Sequence, residues 1–210
     1  MIPLHTKIKF AVDVIVCALG LIRWQNLGRD TRILAVYFSV SVALSLLQFH
    51  LASQRINNLW LMHLFTPIQY AFLAWIFALW QNDHRIRLGL QLSTILFAVL
   101  CLSGALFFED PRAFNIYTKP VESVLLVFFS GQMLYAINKR SLEPLAPQPA
   151  LWISAATLIY FSGLAVLYGL SNTLLSQSAE TLRSAWIAHT VVGIIANLLY
   201  GVAFLCPRSR

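Results

Sequence analysis

Charge is what this sequence has least of: 11% of its 210 residues are Asp, Glu, Lys or Arg, against about 25% in an average soluble domain. A chain so poor in charge and 59% hydrophobic cannot cover a water-facing surface, which excludes an ordinary soluble globular protein. Cysteine is scarce as well. Cys17, Cys101 and Cys206 are far apart, so neither a disulfide framework nor a Cys-x-x-Cys metal site is written, and all three read as small packed or lipid-facing residues. The sequence has no H-E-x-x-H, no G-x-S-x-G and no second His four residues from His189, which removes the helical zinc pair of metalloproteases and the serine elbow. Lys7, Lys9, Lys119 and Lys139 fall at the ends of the expected membrane spans, so no lysine stands inside one to carry a retinal-type Schiff base. An inverted repeat and a matched pair of Gly/Pro-broken helices are also missing, which weighs against a secondary transporter. The net charge is +7, but the basic residues are strewn in ones and twos and form no patch, so they exclude nucleic acid as a partner and fit positive-inside anchoring in a membrane.

What the sequence does have is a series of long apolar runs. They predict an all-α polytopic integral membrane protein in contact with the lipid bilayer, a seven-transmembrane-helix bundle with short loops forming a single domain over residues 1–210. The spans are expected at about 8–24, 32–53, 57–81, 88–108, 119–138, 150–172 and 184–206. Lys7 and Lys9 before the run at 10–22 resemble the start of a signal peptide. Asp13 interrupts that run, no small-x-small cleavage site follows and Val16 precedes Cys17, so a first span is expected instead. Pro111 marks a loop, Pro120 a first helical turn, and Pro144, Pro147 and Pro149 a stiff linker, while Pro207 closes the seventh span. Trp24, Trp60, Trp80, Trp152 and Trp186 sit near predicted ends, where an amphipathic indole belongs. Nine Lys and Arg fall on the side of the first, third and fifth loops and six on the other. This places the N-terminus outside and the C-terminus inside a bacterial inner membrane.

Five ionisable side chains interrupt the apolar spans: Asp13, His50, His63, Glu122 and His189. In an antiparallel bundle all five lie on one side of the bilayer, roughly 5 to 9 Å below the interface at about 1.5 Å of rise per residue. A charge at depth costs on the order of 3 kcal/mol, so such residues mark function by default unless they snorkel to the surface. Glu122, after Lys119 and Pro120, has capping of the helix dipole as its plain explanation and a pocket role as the other. Asp13 needs a partner on another helix, or protonation. His63 and His189, at equal depth on separate helices, have the geometry to share a ligand, a proton or a metal. Tyr70 shares a stripe with His63 and Thr66 beside Pro67, and Asn197 sits nearer mid-membrane with Tyr160 and Ser162 as a possible cavity floor. Ala185, His189, Gly193, Asn197 and Gly201 recur every fourth residue, a line that suits close helix packing, a membrane partner or homo-oligomer on the Gly193/Gly201 face, or the lining of a cavity.

The Asn57-Asn58, His63 and Thr66-Pro67 positions, Pro120 with Glu122-Ser123, Trp152 with Tyr160-Phe161-Ser162-Gly163, and Trp186 with His189 resemble a group of bacterial seven-helix membrane proteins. The resemblance implies a small stand-alone bundle and carries no activity. Three functions therefore stand open. One is a sensing or binding module, with His63, His189, Glu122, Asp13, Tyr70 and Asn197 around a small-molecule ligand or proton near the periplasmic face. The second is a metal-dependent intramembrane lipid hydrolase, with Zn²⁺ on His63, His189 and His50 or a carboxylate, or haem between His63 and His189. The third is a transporter or a structural membrane subunit.

Overall fold

The computed structural model describes residues 3–113, 115–140, 145–169 and 179–207. Among these, every regular element is helical. They are α1 (Leu4–Ile22), a 3₁₀ turn (Trp24–Asn26), α2 (Arg29–Ser53), α3 (Trp60–Leu79), α4 (His84–Phe107), α5 (Thr118–Arg140), α6 (Pro149–Gly169) and α7 (Ala179–Leu205). Six of them, α2 to α7, are long and apolar enough to cross a membrane. The expected first span, on α1, is not among the six, because Lys7, Lys9 and Asp13 fall within its 19 residues. The expected ends are otherwise close. Residues 170–172 of the sixth span, Pro144 in the linker, and Arg208 and Arg210 in the charge count lie outside the described residues.

The helix ends have local causes. The third span was expected from 57, but α3 starts at Trp60 because Asn57 and Asn58 are occupied in the turn. Asn57 Oδ1 accepts from the Leu59 amide at 2.9 Å, and Asn58 Nδ2 donates to the Gln48 carbonyl at 2.9 Å. Asp83 caps α4 by accepting from the Arg85 amide, and Pro149 opens α6 where a missing N–H is harmless. α2 ends in a Schellman motif: the Ile56 amide reaches the Leu51 carbonyl and the Arg55 amide the Ala52 carbonyl. Arg55 sits there at φ 59°, in the left-handed region.

Neighbouring helices form a closed ring. α1 packs on α2, α2 on α3, α3 on α5, α5 on α6, α6 on α7, and α7 returns to α1. α4 stands outside the ring, packed mainly on α3. Its outer face carries Leu92, Ile95, Leu96, Val99, Leu102 and Leu106, all exposed and spaced by three and four. An apolar stripe of that length has no place in water and suits hydrocarbon. The ring closes tightly where α1 meets α2 and α7. A Cβ on Gly20 would lie 3.0 Å from Phe204 Cζ and 3.1 Å from Ala35 Cβ, so glycine allows an approach that any side chain would force its neighbours to yield to. The half of the ring away from the N-terminus is filled by a packed core in which Phe38 meets Tyr200 and Phe204 edge-on.

The small-residue line on α7 faces inward. Gly193 lies against the Lys9 stem and the Tyr160 ring, and Gly201 against Val16. The expected oligomer or partner surface is therefore already occupied by α1 and α6, and the line combines close packing with cavity lining.

Candidate functional site

In the half of the ring nearer the N-terminus the core gives way to a polar cavity of about 210 Å³, more than ten times the roughly 10–15 Å³ that one water requires. All six ring helices contribute to it. α1 supplies Lys9 and Asp13, α2 supplies Tyr37, Ser41, Ser45 and Gln48, and α3 supplies Thr66 and Gln69. Lys119 enters from α5, Tyr160 and Tyr168 from α6, and Trp186, His189, Asn197 and Tyr200 from α7.

Two charge clusters organise the walls. On one side Lys9 Nζ lies 2.9 Å from Asp13 Oδ2, four residues along α1. Asn197 Nδ2 donates to the other Asp13 oxygen from α7. Asp13, 5% exposed, thus has both a cation on its own helix and an amide from a second one, and the ring is pinned where its first and last helices meet. On the other side Lys119 Nζ lies 2.6 Å from Glu122 Oε2 and donates to Gln69 Oε1 at 2.7 Å. Gln69 Nε2 in turn donates to the Tyr37 hydroxyl at 2.7 Å. Glu122 is fully buried and its Oε1 has no hydrogen-bond partner. Lys119 also lies 6.0 Å from the centre of the Phe161 ring, close enough for a weak cation–π contact.

Glu122 is not a helix cap. That duty belongs to Glu109, whose buried carboxylate accepts from the Tyr117 and Thr118 amides at 2.7 and 2.9 Å and from Thr118 Oγ1 at 2.9 Å. Freed from the cap, Glu122 turns into the bundle toward Lys119.

The other expected site residues divide. His189 lines the cavity beside Tyr160 and Trp186, with ring centroids 5.4 and 6.3 Å away. Its buried Nδ1 has no hydrogen-bond partner. Asn197 and Asp13 line the cavity, and Glu122 stands behind Lys119. His63 points elsewhere: its Nε2 is 3.0 Å from the Ala113 carbonyl and its Nδ1 is 3.5 Å from Glu109 Oε2. It ties α3 to the connection between α4 and α5, together with Asn115, which donates to Thr66 Oγ1 at 2.8 Å. Tyr70 faces α4, donating to Ser93 Oγ at 3.0 Å. His50 is exposed at the end of α2, 3.1 Å from Gln54. The structure thus does not bring His50, His63 and His189 to one point. Among the described residues no three His, Cys, Asp or Glu side chains are grouped to hold a metal ion. Cys17, Cys101 and Cys206 are free and buried.

Lys9, Lys119, Gln69 and Tyr37 are among the cavity residues that sequence reasoning does not single out. A signal was present: Lys9 and Asp13 at i,i+4 and Lys119 and Glu122 at i,i+3 are spacings at which opposite charges meet on one helix face. Gln69 and Tyr37 gave none, since nothing in their own helices sets which way they face. Compared with known protein families, with curated proteins and with solved structures, the chain matches none.

Proposed function

We propose that this chain is a multi-pass membrane protein of seven spans whose polar cavity is a binding site for a small molecule, serving as a sensing or binding module. The supporting observation is that six helices each turn polar or charged side chains onto one partly open volume, while the outward faces carry apolar ones. One buried ion pair, Lys119–Glu122, and one part-buried pair, Lys9–Asp13, within apolar helices are costly to assemble, and a site for a polar ligand gives them a use. The Lys and Arg count puts the N-terminal end, and the cavity with it, on the periplasmic side of a bacterial inner membrane. The dispersed histidines favour binding over the metal-dependent hydrolase.

Thiol accessibility tests the reading. In protein whose three native cysteines are replaced by alanine, Ser45→Cys on the cavity wall should react with a membrane-impermeant maleimide added outside, because only a hydrated thiol ionises and reacts. Leu46→Cys, one residue on and 53% exposed toward lipid, should not. A silent Ser45→Cys would remove the wet cavity and the binding function with it.

A further inference from the structure

Resting on that reading, we propose that the cavity's ligand is a small monocarboxylate on a compact apolar body, held by the Lys9 ammonium and the Tyr37 hydroxyl. The hydrogen-bond directions on the Lys119 side are forced. An ammonium can only donate, so the Gln69 atom 2.7 Å from Lys119 must be its oxygen. The Gln69 nitrogen therefore faces Tyr37, 2.7 Å away, and a side-chain amide nitrogen can only donate. Tyr37 must accept, and its own proton is left for something else. Lys119, Gln69 and Tyr37 thus form a chain polarised in one sense, ending in an O–H donor on the cavity wall.

Across the cavity Lys9 spends one of its three N–H bonds on Asp13, and among the described residues it has no other hydrogen-bond partner. Asp13, the carboxylate that lines the cavity, is already taken: it receives Lys9 on one oxygen and Asn197 on the other. Glu122, which keeps one oxygen without a partner, stands behind Lys119 and does not line the cavity. With spare donors on Lys9 and Tyr37 and its lining carboxylate occupied, the cavity can seat a ligand oxyanion between the two. Its two ammonium groups and two carboxylates already balance, so a monoanion fits better than a doubly charged phosphate. Phe38, Phe65 and Leu164 line the same volume and provide an apolar wall for the body of the ligand.

Such a carboxylate can arrive from water or as a fatty acid from the bilayer. The test uses purified full-length protein in nanodiscs, read by thermal unfolding and tryptophan fluorescence. Benzoate in the buffer and the short-chain fatty acid octanoate, preloaded in the lipid, are the two arms, with benzamide and benzylamine as neutral and cationic counterparts of benzoate. A rise in Tm with either carboxylate and not with benzamide or benzylamine is expected, and the arm that responds identifies the source. Lys9→Gln and Tyr37→Phe should each weaken carboxylate affinity about tenfold, the loss of one charge-assisted hydrogen bond. Tyr37→Phe removes only an oxygen and keeps the test available if Lys9→Gln does not fold. Benzamide or benzylamine binding as tightly as benzoate overturns the carboxylate assignment while the binding function stands. No response to any probe also overturns it, and the Ser45→Cys labelling then decides separately whether the cavity exists.

Discussion

Replacing Lys119 by Met removes the cation from a buried pair and leaves Glu122 with no charged partner. The pair spans 2.6 Å, with side-chain exposures of 8% for Lys119 and 0% for Glu122, and the methionine side chain that takes the lysine's place offers the carboxylate no partner. Breaking such a pair costs about 3–5 kcal/mol, because the surviving charge stays buried and uncompensated. Glu122→Gln should cost less, about 1–3 kcal/mol, since the amide still offers an oxygen to Lys119 and Gln69 still accepts from it. Lys119→Met combined with Glu122→Leu removes both charges and fills the space, so it should return to within about 1 kcal/mol of the parent protein. Equilibrium unfolding in mixed detergent micelles, followed by circular dichroism, measures all three. A Lys119→Met loss below about 1 kcal/mol, or a double variant that costs the sum of its singles, would show that the two groups are neither buried nor coupled.

Backbone geometry sets the other expectations. Gly20→Ala places a Cβ within 3.1 Å of Phe204 and Ala35 and should destabilise by about 1–3 kcal/mol. Gly89→Ala, with nothing within 4 Å, should be neutral or stabilise by up to about 1 kcal/mol through helix propensity; the same unfolding experiment ranks the two. Arg55→Gly relieves the left-handed residue that closes α2 and should raise stability by about 0.5–1 kcal/mol, visible as a higher Tm. Trp80→Phe loses the 3.0 Å hydrogen bond from the indole to Asp30 and should cost about 1–2 kcal/mol in unfolding experiments.

The helical architecture was legible because apolar runs of membrane length can hardly be anything else. Residues 32–53 and 88–108 became α2 and α4 with shifts of a few residues. Which helix leaves the ring was not legible: α4 carries Ser93 and Cys101 among its leucines much as α2 carries Ser39 and Ser41, and only packing separates them. The lining of the cavity was half legible. Asp13, His189 and Asn197 line it, and they stand out in the sequence because polar residues deep in an apolar run have few explanations. His63 and Tyr70 failed to join them because depth along a helix does not fix rotation about it. His63 sits six residues before Gln69, on a side that meets Glu109 instead of the cavity. Glu122 was half read as a cap because the residue that caps α5, Glu109, lies nine residues before Thr118 across a loop, and no local pattern announces that return. Position alone marks the lysines as interfacial, although a lysine at a helix end can also fold its ammonium inward toward a carboxylate one turn away.

The most direct measurement is water-edited solid-state NMR of the protein in lipid bilayers, with lysine, histidine and asparagine side chains labelled. Magnetisation from water should build up rapidly on Lys9, on the His189 ring and on the Asn197 amide, and Asn197 should show a through-space contact to the Asp13 carboxylate. Hydration confined to Lys9, with His189 and Asn197 dry or with no Asn197–Asp13 contact, would contradict a shared wet cavity inside the ring.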